Sequence, residues 1–563
     1  MIHPDAAGIR NEIKGFGGVM RGIGTGTGLW RAATVAAGVV LLFASMPAQA
    51  QDLKWGPHID LEAKPGSKRS LGEADLFVPL LQNADTLLFG SFRARMDDQE
   101  SSEGNYGLGL RHMLSSGWNL GAYGYFDRRR TEYGNHFHQA TFGIEALSQD
   151  WDLRANYYAP VGRRSHRIDS LNAASISGAT VVVRGGEERS LGGFDAEVGW
   201  RVPLFDAKAE QQLRVYGGGY RFSESGVPDI SGPRARAELT FDSIPALWDG
   251  SRFSLGAEWQ HDEPRGSQGF LTARLRIPLQ VYGKPASRLT PMERRMADPV
   301  MRDVDVVTRA GTFGAPEVAT ATNGNPISVI SSTQNTGATL SDELAAAGAN
   351  STVILSGTFN TTATTTMQVG QTVMGSGTLR VRSSSGRTAI LTTPTATISG
   401  AIDSGITLVA NADGAVTGLA ISNTHSASGS AASLSVEGNN VRVANNVITA
   451  GRLDAVNSNT AVALRVQADN AVIDGNVITT TNVGGGAAIG LVLDAANNAQ
   501  VTGNTLSASG GASNWHTMFF GGVNVSTGSV GNRLGTGNTG SCNTQNNGSG
   551  FVGYANAPDC NAF

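Results

Sequence analysis

The 563-residue sequence is poor in charge, in cysteine and in long apolar runs. Charged residues make up only 16% of the chain, and the net charge of −4 is close to neutral for this length, which argues against a nucleic-acid partner. The 73 glycines, together with many Ser, Thr, Asn and Val residues, are typical of an all-β protein rich in turns. A chain this long also predicts at least two folded units.

The longest apolar run lies near the N-terminus, and residues 1–50 are predicted to be an export signal. A basic stretch precedes the short apolar run at 32–44, and small residues lead to a cleavage point after Ala50, which would make Gln51 the mature N-terminus. The alternative is an uncleaved membrane helix, but the run of about 15 apolar residues is shorter than the roughly 20 that span a bilayer. Met20 is an alternative start. An exported chain with no later apolar run is secreted, periplasmic or an outer-membrane barrel.

Only two cysteines occur, Cys542 and Cys560, and both lie close to the C-terminus. In an oxidising compartment this pattern predicts a disulfide that closes a short C-terminal loop. Their number and spacing do not suit a metal site, and no cofactor is predicted.

From residue 55 to 280, apolar and polar residues repeatedly alternate over about ten positions. The segment 194–202 is an example, since Phe194, Val198 and Trp200 share one face and Asp195 lies on the other. A soluble β-sandwich alternates similarly, but its strands usually have about 5–6 residues, whereas tilted bilayer-crossing strands have about 9–11. About twelve strands are predicted, near 55–64, 70–80, 86–95, 104–112, 117–126, 136–146, 150–159, 190–202, 211–222, 232–242, 252–260 and 269–279.

These strands are predicted to form an antiparallel transmembrane β-barrel at 51–283. Arg and Glu alternate along the polar faces, as in a lumen filled with ion pairs, and lipid cannot satisfy an open sheet edge. Residues 160–189 form the longest connection, which we interpret as an external loop. Its basic residues indicate a solvated surface or, as the alternative, contact with lipopolysaccharide phosphates.

Four segments carry a resemblance to a known family. They are Gly107–Arg111 (GLGLR), Gly117–Asp127 (GWNLGAYGYFD), Trp151–Tyr158 (WDLRANYY) and Leu191–Gly199 (LGGFDAEVG). In residues 55–310 the sequence resembles the inverse autotransporters, the intimin and invasin family of bacterial surface proteins. The resemblance implies a twelve-stranded outer-membrane barrel with a periplasmic N-terminus, inserted by the barrel-assembly machinery, and a passenger exported from the C-terminal side.

The sequence departs from that family in two respects. The mature chain would enter the barrel within a few residues of Gln51, which leaves no room for a periplasmic peptidoglycan-binding module. The second half does not look like tandem immunoglobulin-like domains with a lectin-like tip, so the receptor specificities of intimin and invasin are not carried over.

Residues 284–311 are predicted to be a linker with a short helix. Thr290 suits the cap, Pro291 the first helical position, and Glu293 completes a capping box, with an end near Asp298. The resemblance implies that this segment passes through the barrel lumen, and a short surface helix is the alternative.

In the lumen, three linker arginines would find acidic partners. Arg294, Arg295 and Arg302 are expected to pair with lumen carboxylates such as Glu197, Glu238 and Glu258.

Residues 312–563 are predicted to be a parallel β-helix passenger. No lysine follows Lys284 and no aromatic residue lies between Phe359 and Trp515, so the core must be stacked from small aliphatic residues. Segments 440–448, 470–478 and 498–506 repeat one pattern. The spacing of 30 and then 28 residues suits one rung of three short strands, in which Asn446, Asn476 and Asn504 would form a ladder of stacked amides. Residues 515–563 are predicted to be the C-terminal cap.

An enzymatic passenger is the main alternative to a binding one. Glycoside hydrolysis needs two carboxylates about 5–9.5 Å apart. Asp469 and Asp474 share one repeat, but the neighbouring repeats have no acidic residue at the same positions. The other candidates, Asp454, Asp494, His425 and His516, have no evident partner.

We therefore interpret the chain as a non-enzymatic inverse autotransporter whose passenger is displayed on a Gram-negative cell surface as an adhesin or biofilm factor. Expected partners are outer-membrane lipid and lipopolysaccharide, the barrel-assembly machinery, and an extracellular glycan, host or neighbouring-cell ligand. The alternatives are a displayed carbohydrate-active β-helix enzyme and a plugged porin-like barrel.

Overall fold

A computed structural model describes residues 54–510, except 207, 243, 245–246, 249, 280–288, 304, 426–430, 454–459, 485 and 495, and the backbone of 516–521, 533–534 and 541–543. The predicted export signal lies outside the described residues. The chain forms two compact units, Met1–Ile168 with Glu187–Phe313, and Asp169–Gly186 with Gly314–Phe563. The helices described are short, and none of them has the length and apolar composition of a membrane span.

Sixteen strands are described up to Pro278. In chain order they are β1 His58–Lys64, β2 Leu71–Gln82, β3 Thr86–Asp97, β4 Ser102–Met113, β5 Trp118–Arg130, β6 His136–Ser148, β7 Trp151–Val161, β8 Ser165–Arg167, β9 Ala173–Ser177, β10 Thr180–Arg184, β11 Glu187–Ser190, β12 Gly192–Val202, β13 Gln211–Glu224, β14 Val227–Asp242, β15 Arg252–Asp262 and β16 Gly266–Pro278. Twelve of these, β1–β7 and β12–β16, close into an antiparallel barrel in which β1 pairs with both β2 and β16. The predicted twelve-stranded barrel is confirmed, and each predicted strand overlaps an observed one.

The alternating sequence places charge inside the barrel and apolar side chains outside it. In β12, Asp195 is buried, whereas its neighbour Phe194 is 54% exposed. Outward-facing residues such as Leu108, Phe142, Ile144, Tyr157 and Leu271 form the apolar outer surface. Because successive residues of a strand point to opposite faces, one segment supplies both the lipid-facing and the lumen-facing surface.

The connection between β7 and β12 contains more structure than the predicted loop. A 3-10 helix at Asp169–Leu171 follows β8. The short strands β8 and β11 form a three-stranded sheet with β17, Thr308–Gly311, which follows helix α1, Pro291–Arg295. Strands β9 and β10 belong to the second unit.

The second unit starts with an antiparallel sheet and the first solenoid turn. Its elements are β18 Pro316–Ala321, β19 Ile327–Ser331, α2 Leu340–Ala347, β20 Thr352–Thr361, β21 Thr365–Thr366, β22 Thr372–Met374, β23 Gly377–Ser383, β24 Thr388–Thr393 and β25 Ala396–Gly400. The antiparallel sheet has the order β24-β23-β18-β10-β9. Helix α2 buries Leu340 and Leu344 in the solenoid core, and the buried Gln371 side chain binds the carbonyl oxygen of Leu344 at 2.9 Å.

The remaining strands stack in parallel as a solenoid of about six turns. They are β26 Ile406–Ala410, β27 Ala415–Thr417, β28 Ala420–His425, β29 Ala431–Val436, β30 Arg442–Ala444, β31 Val447–Arg452, β32 Ala461–Val466, β33 Val472–Asp474, β34 Val477–Asn482, β35 Ala488–Asp494, β36 Gln500–Thr502, β37 Thr505–Gly510, β38 His516–Gly521, β39 Arg533–Leu534 and β40 Ser541–Asn543. Leu408, Leu434, Leu464 and Leu491 lie in register and are fully buried. The predicted parallel β-helix with an aliphatic core is confirmed.

Candidate functional site: the barrel lumen and the asparagine ladders

The linker begins its course through the barrel at helix α1. The Thr290 hydroxyl accepts a hydrogen bond from the Glu293 amide, and the Glu293 carboxylate accepts one from the Thr290 amide at 2.7 Å, so the capping box is formed. The Trp55 indole donates to the Glu293 carbonyl oxygen at 2.7 Å, and Lys54 Nζ lies 2.7 Å from Glu293 Oε1. The helix therefore lies at the end of the barrel where β1 begins, and it ends at Arg295, before Asp298.

Beyond α1, the linker buries apolar side chains among lumen aromatics. Met296 and Val300 pack in one cluster with Trp55, Phe89 and Tyr125. Because aromatic rings fill large volumes, this cluster closes the lumen around the linker more tightly than small residues would.

Each of the three linker arginines predicted to lie in the lumen contacts an inward-facing carboxylate. The pairs are Arg294 Nη1 to Asp242 Oδ2 at 3.6 Å, Arg295 Nη1 to Asp152 Oδ1 at 2.6 Å, and Arg302 Nη2 to Asp127 Oδ1 at 2.9 Å. Burial strengthens such pairs but makes each charge costly without its partner.

The predicted pairing of these arginines with Glu197, Glu238 and Glu258 was wrong. Glu197 and Glu238 contact the barrel residue Arg236, at 2.6 and 3.1 Å, and Glu258 contacts Lys64 at 2.7 Å. Their β-strand positions face the lumen as predicted, but Arg236 of β14 and Lys64 of β1 lie within reach, so these carboxylates pair with cations of the barrel wall.

Lumen side chains also bind the backbone of the linker. Arg111 Nη1 donates to the carbonyl oxygens of Met296 and Asp298, at 2.9 and 2.7 Å. Arg129 Nη1 donates to the Val306 carbonyl oxygen at 2.8 Å. Between α1 and β17 the described linker residues pair with no barrel strand, so these side chains satisfy carbonyl groups that would otherwise be buried without a hydrogen bond.

The linker leaves the lumen at the opposite end of the barrel. The Leu191 amide donates to the Val307 carbonyl oxygen at 2.8 Å, and β17 then pairs antiparallel with β11. A cavity of about 90 Å³ remains beside the linker, lined by charged residues that include Arg95, Arg236 and Asp303. That volume suits a few ordered waters. The lumen is thus occupied by the protein's own chain.

In the solenoid, Asn446, Asn476 and Asn504 stack on successive rungs, and each is at most 1% exposed. Asn446 Nδ2 donates to Asn476 Oδ1 at 3.0 Å, and Asn476 Nδ2 donates to Asn504 Oδ1 at 2.9 Å. Asn446 Nδ2 also donates to the Val416 carbonyl oxygen at 2.9 Å, and Asn476 Nδ2 to that of Val443 at 2.9 Å. The ladder therefore provides hydrogen-bond partners for buried backbone groups near the turn between the second and third strands of each rung. This is a structural role.

The structure contains a second asparagine ladder that was not predicted from the sequence. Asn440, Asn470 and Asn498 have φ of 62°, 59° and 56°, the left-handed region that asparagine tolerates better than most residues. Asn470 Nδ2 donates to Asn440 Oδ1 at 3.2 Å, and Asn498 Nδ2 to Asn470 Oδ1 at 2.9 Å. The signal was present, because an asparagine opens each of the three aligned repeats.

The acidic residues considered for catalysis take part in the solenoid turns. Asp474 Oδ2 lies 3.0 Å from Arg442 Nη2, and Asp469 Oδ1 accepts a hydrogen bond from the Asn497 amide at 2.7 Å. His425 is buried at the end of β28 and Asp494 is exposed at the end of β35. Asp454 and the side chain of His516 lie outside the described residues. Within the described part of the chain, no group of three His, Cys, Asp or Glu residues is arranged to hold a metal ion.

The C-terminal predictions are largely outside the described residues. The backbone strands β38–β40 continue the parallel stacking into the region predicted as the cap. Cys560 and the side chain of Cys542 are not among the described residues, so the disulfide stays a prediction.

The fold and the occupied lumen define an outer-membrane β-barrel joined to a parallel β-solenoid. Residues 49–217 match the family model described as inverse autotransporter, beta-domain, which spans the barrel from β1 into β13. The N-terminal barrel of this chain is therefore an inverse autotransporter β-domain, as the sequence resemblance implied. No curated protein matches the chain.

Among solved structures, the chain is similar to several outer-membrane barrels. The NanC porin is 8% identical, with 39% of this chain and 100% of that chain covered and a TM-score of 0.26. The KdgM porin is 9% identical, with coverage of 38% and 97% and a TM-score of 0.23. An outer membrane channel from Pseudomonas putida F1 is 10% identical, with coverage of 41% and 98% and a TM-score of 0.29. Similarity this low supports no conclusion about the activity of this chain.

Proposed function

We propose that the barrel anchors the chain in the outer membrane and displays the solenoid as a passenger on the cell surface. The observation that carries this proposal is the course of the linker. Helix α1 lies at the end of the barrel where β1 begins, and β17 pairs with β11 at the other end. The family match supports an outer-membrane location for the barrel, and a linker that traverses such a barrel would deliver the following residues to the opposite side of the membrane.

The contacts of the linker suit a permanent anchor. Arg295 and Arg302 are buried in ion pairs with barrel carboxylates, and Arg111 holds two linker carbonyl groups. Withdrawing the linker would leave these charges unpaired in the lumen, so the filled state is strongly favoured once it has formed. The same packing closes the pore that export of a passenger would otherwise leave open.

We propose that the passenger acts as an adhesin or biofilm factor and not as an enzyme. One solenoid face carries a row of hydroxyl side chains in register, namely Ser399, Ser422, Thr449, Thr479 and Ser507. Strands in a sheet lie about 4.8 Å apart, so the row is a regular, uncharged array. Such a surface suits glycan hydroxyls or a second solenoid, whereas the carboxylates Asp469 and Asp474 are already engaged in turn contacts.

Topology is the first experiment. An epitope placed after Phe563 should bind antibody on intact cells and disappear after added protease. The matched control is the same epitope in the turn at 114–117, at the end of the barrel where β1 begins, which should be labelled only after the outer membrane is breached. Labelling of the C-terminal epitope only in breached cells would overturn surface display.

Adhesion is tested on the hydroxyl row. Thr479→Lys should reduce cell–cell aggregation or retention on immobilised glycans several-fold. Gln500→Lys is the matched control, because it adds the same charge on a different, exposed face of the solenoid. Equal binding by both variants would contradict a role for the row. Glycan-degrading activity that is lost in Asp469→Asn/Asp474→Asn would favour the enzymatic alternative.

A further inference from the structure

A hairpin that lies in the sequence between two barrel strands is built into the second unit. Strands β9 and β10 turn through Gly178, whose φ of 60° is readily adopted by glycine. Strand β10 pairs antiparallel with β18, and Val182 lies opposite Val318. The barrel loop thereby supplies two of the five strands in the first sheet of the solenoid unit.

The hairpin also contributes to the hydrophobic core of that unit. Val181 and Val183 are fully buried, in one cluster with Ala319, Val329 and Ile354. The Val329 amide donates to the Ala179 carbonyl oxygen at 2.9 Å, which ties the turn of the hairpin to β19. These contacts reach the first solenoid turn, because Ile354 lies in β20.

The base of the hairpin is held by polar contacts to the same unit. Asn172 Nδ2 donates to the Thr388 carbonyl oxygen at 3.1 Å, while Asn172 Oδ1 accepts from the Gly186 amide at 2.9 Å. The Gly314 amide donates to the Gly185 carbonyl oxygen at 2.9 Å. A Cβ atom at Gly185 would lie 1.9 Å from Arg387 Nη1, so a larger residue at this position would displace the Arg387 side chain.

The hairpin changes which strand lies at the edge of the sheet. Strand β18 pairs with β23 on one side and with β10 on the other. Without the hairpin, β18 would present unpaired backbone groups next to a core that had lost two valines. With it, the edge is β9, a short strand with the sequence Ala-Ala-Ser-Ile-Ser, which is a poorer template for wrong pairing.

We propose that the hairpin at 173–184 is a docking element for residues 316–329 of this chain. It adds strands to the emerging sheet by β-augmentation and holds the solenoid unit independently of the linker's peptide bonds. This inference goes beyond surface display and does not depend on the side of the membrane on which the solenoid lies.

The test uses the purified full-length chain in detergent, with a site-specific protease sequence inserted after the exposed Thr312. After cleavage, the fragment that starts at Phe313 should stay with the barrel fragment in size-exclusion chromatography. Val181→Asp/Val183→Asp should release most of it. The matched control is Val182→Asp, which adds a charge on the opposite face of β10 and should retain the fragment. Release from the unsubstituted protein, or equal retention in the Val181/Val183 variant, would overturn the proposal.

A second measurement does not depend on whether the aspartate variants fold. In Val182→Cys/Val318→Cys, the paired positions should form a disulfide that keeps the cleaved fragments together on a non-reducing denaturing gel. The control pair Val182→Cys/Thr320→Cys is out of register by two residues and should link far less. Equal linking of both pairs, or of neither, would refute the pairing of β10 with β18.

Discussion

Arg302 of the linker and Asp127 of β5 form an ion pair that is completely shielded from solvent, with Nη2 2.9 Å from Oδ1. The guanidinium lies over the Tyr125 ring, 4.2 Å from its centroid. Asp127 also accepts hydrogen bonds from Asn105 Nδ2 at 2.8 Å and from Thr141 Oγ1 at 2.6 Å. The pair therefore fastens the linker to a prearranged carboxylate inside the lumen.

We expect Arg302→Ala to loosen the linker, because it leaves Asp127 charged and unpaired, a change that costs about 3–5 kcal/mol for buried pairs. Planar-bilayer recordings of the full-length protein should show a higher or more frequent conductance. Arg309→Ala is the control, since Arg309 lies in β17 and binds the Pro228 carbonyl oxygen at an exposed site. The double variant Asp127→Asn/Arg302→Met should conduct less than Arg302→Ala, because it removes both charges. An unchanged conductance in Arg302→Ala would contradict this role of the pair.

We expect Asn476→Ala to destabilise the solenoid by about 1–3 kcal/mol, because it removes the side-chain acceptor of a buried amide in the preceding rung. The change removes the Oδ1 acceptor of the Asn446 amide and the donor to Asn504. The loss of stability is measured by urea titration of the full-length protein, with the protease resistance of the solenoid as the signal. Asn470→Gly is the matched control: it removes an amide of the exposed ladder while glycine keeps the positive φ, so a small effect is expected. An effect of Asn470→Gly as large as that of Asn476→Ala would be inconsistent with the buried ladder as the stabilising one.

We expect the Glu317 carboxylate in β18 to stay ionised in mild acid. A backbone hydrogen bond from Ser385, followed by those from neighbouring serine hydroxyls, lowers the pKa of Glu317 to about 2 from its ordinary value of 4.5. A lowered pKa stabilises the folded state above the ordinary pKa, and this stability is lost as the pH falls from about 4.5 through about 2. Because Glu317 is only partly buried, water screens its charge and the effect on stability is small.

The measurement compares Glu317→Gln with the unsubstituted chain. The variant should unfold at slightly lower urea concentration at pH 7, and the difference should disappear near pH 2. A difference that is independent of pH would show that the carboxylate charge does not contribute. Glu437→Gln, in the connection after β29, serves as the control for loss of a carboxylate elsewhere in the same unit.

Much of the barrel could be predicted because its signal is local. Residues such as Phe194 and Asp195 alternate with period two, and a lipid-facing strand needs that alternation throughout its length. The buried asparagine ladder could likewise be predicted from the sequence. The stacked rungs repeat at 30 and 28 residues, which places Asn446, Asn476 and Asn504 in register.

The ion pairs of the linker could be predicted only as a class. The sequence shows that Arg302 is basic and that Asp127 and Glu197 face the lumen, but the relative height of two residues depends on the stagger between strands. That stagger is a property of the closed barrel. For this reason the linker arginines contact Asp242, Asp152 and Asp127 instead of the three expected glutamates.

The sequence by itself determined the order of the parts: barrel strands with alternating faces, a capped helix in the linker, and a solenoid of stacked aliphatic rungs. Each of these depends on residues a few positions or one repeat apart. Only the tertiary structure decided that β9 and β10 complete the sheet of the second unit, with Val182 opposite Val318. The side-chain pattern of a segment predicts that it forms a strand. It does not predict the partner, because the backbone of a strand can pair with any compatible sheet edge. Strands β10 and β18 are more than a hundred residues apart in the sequence. The hydrophobic core into which Val181 and Val183 pack selects this pairing.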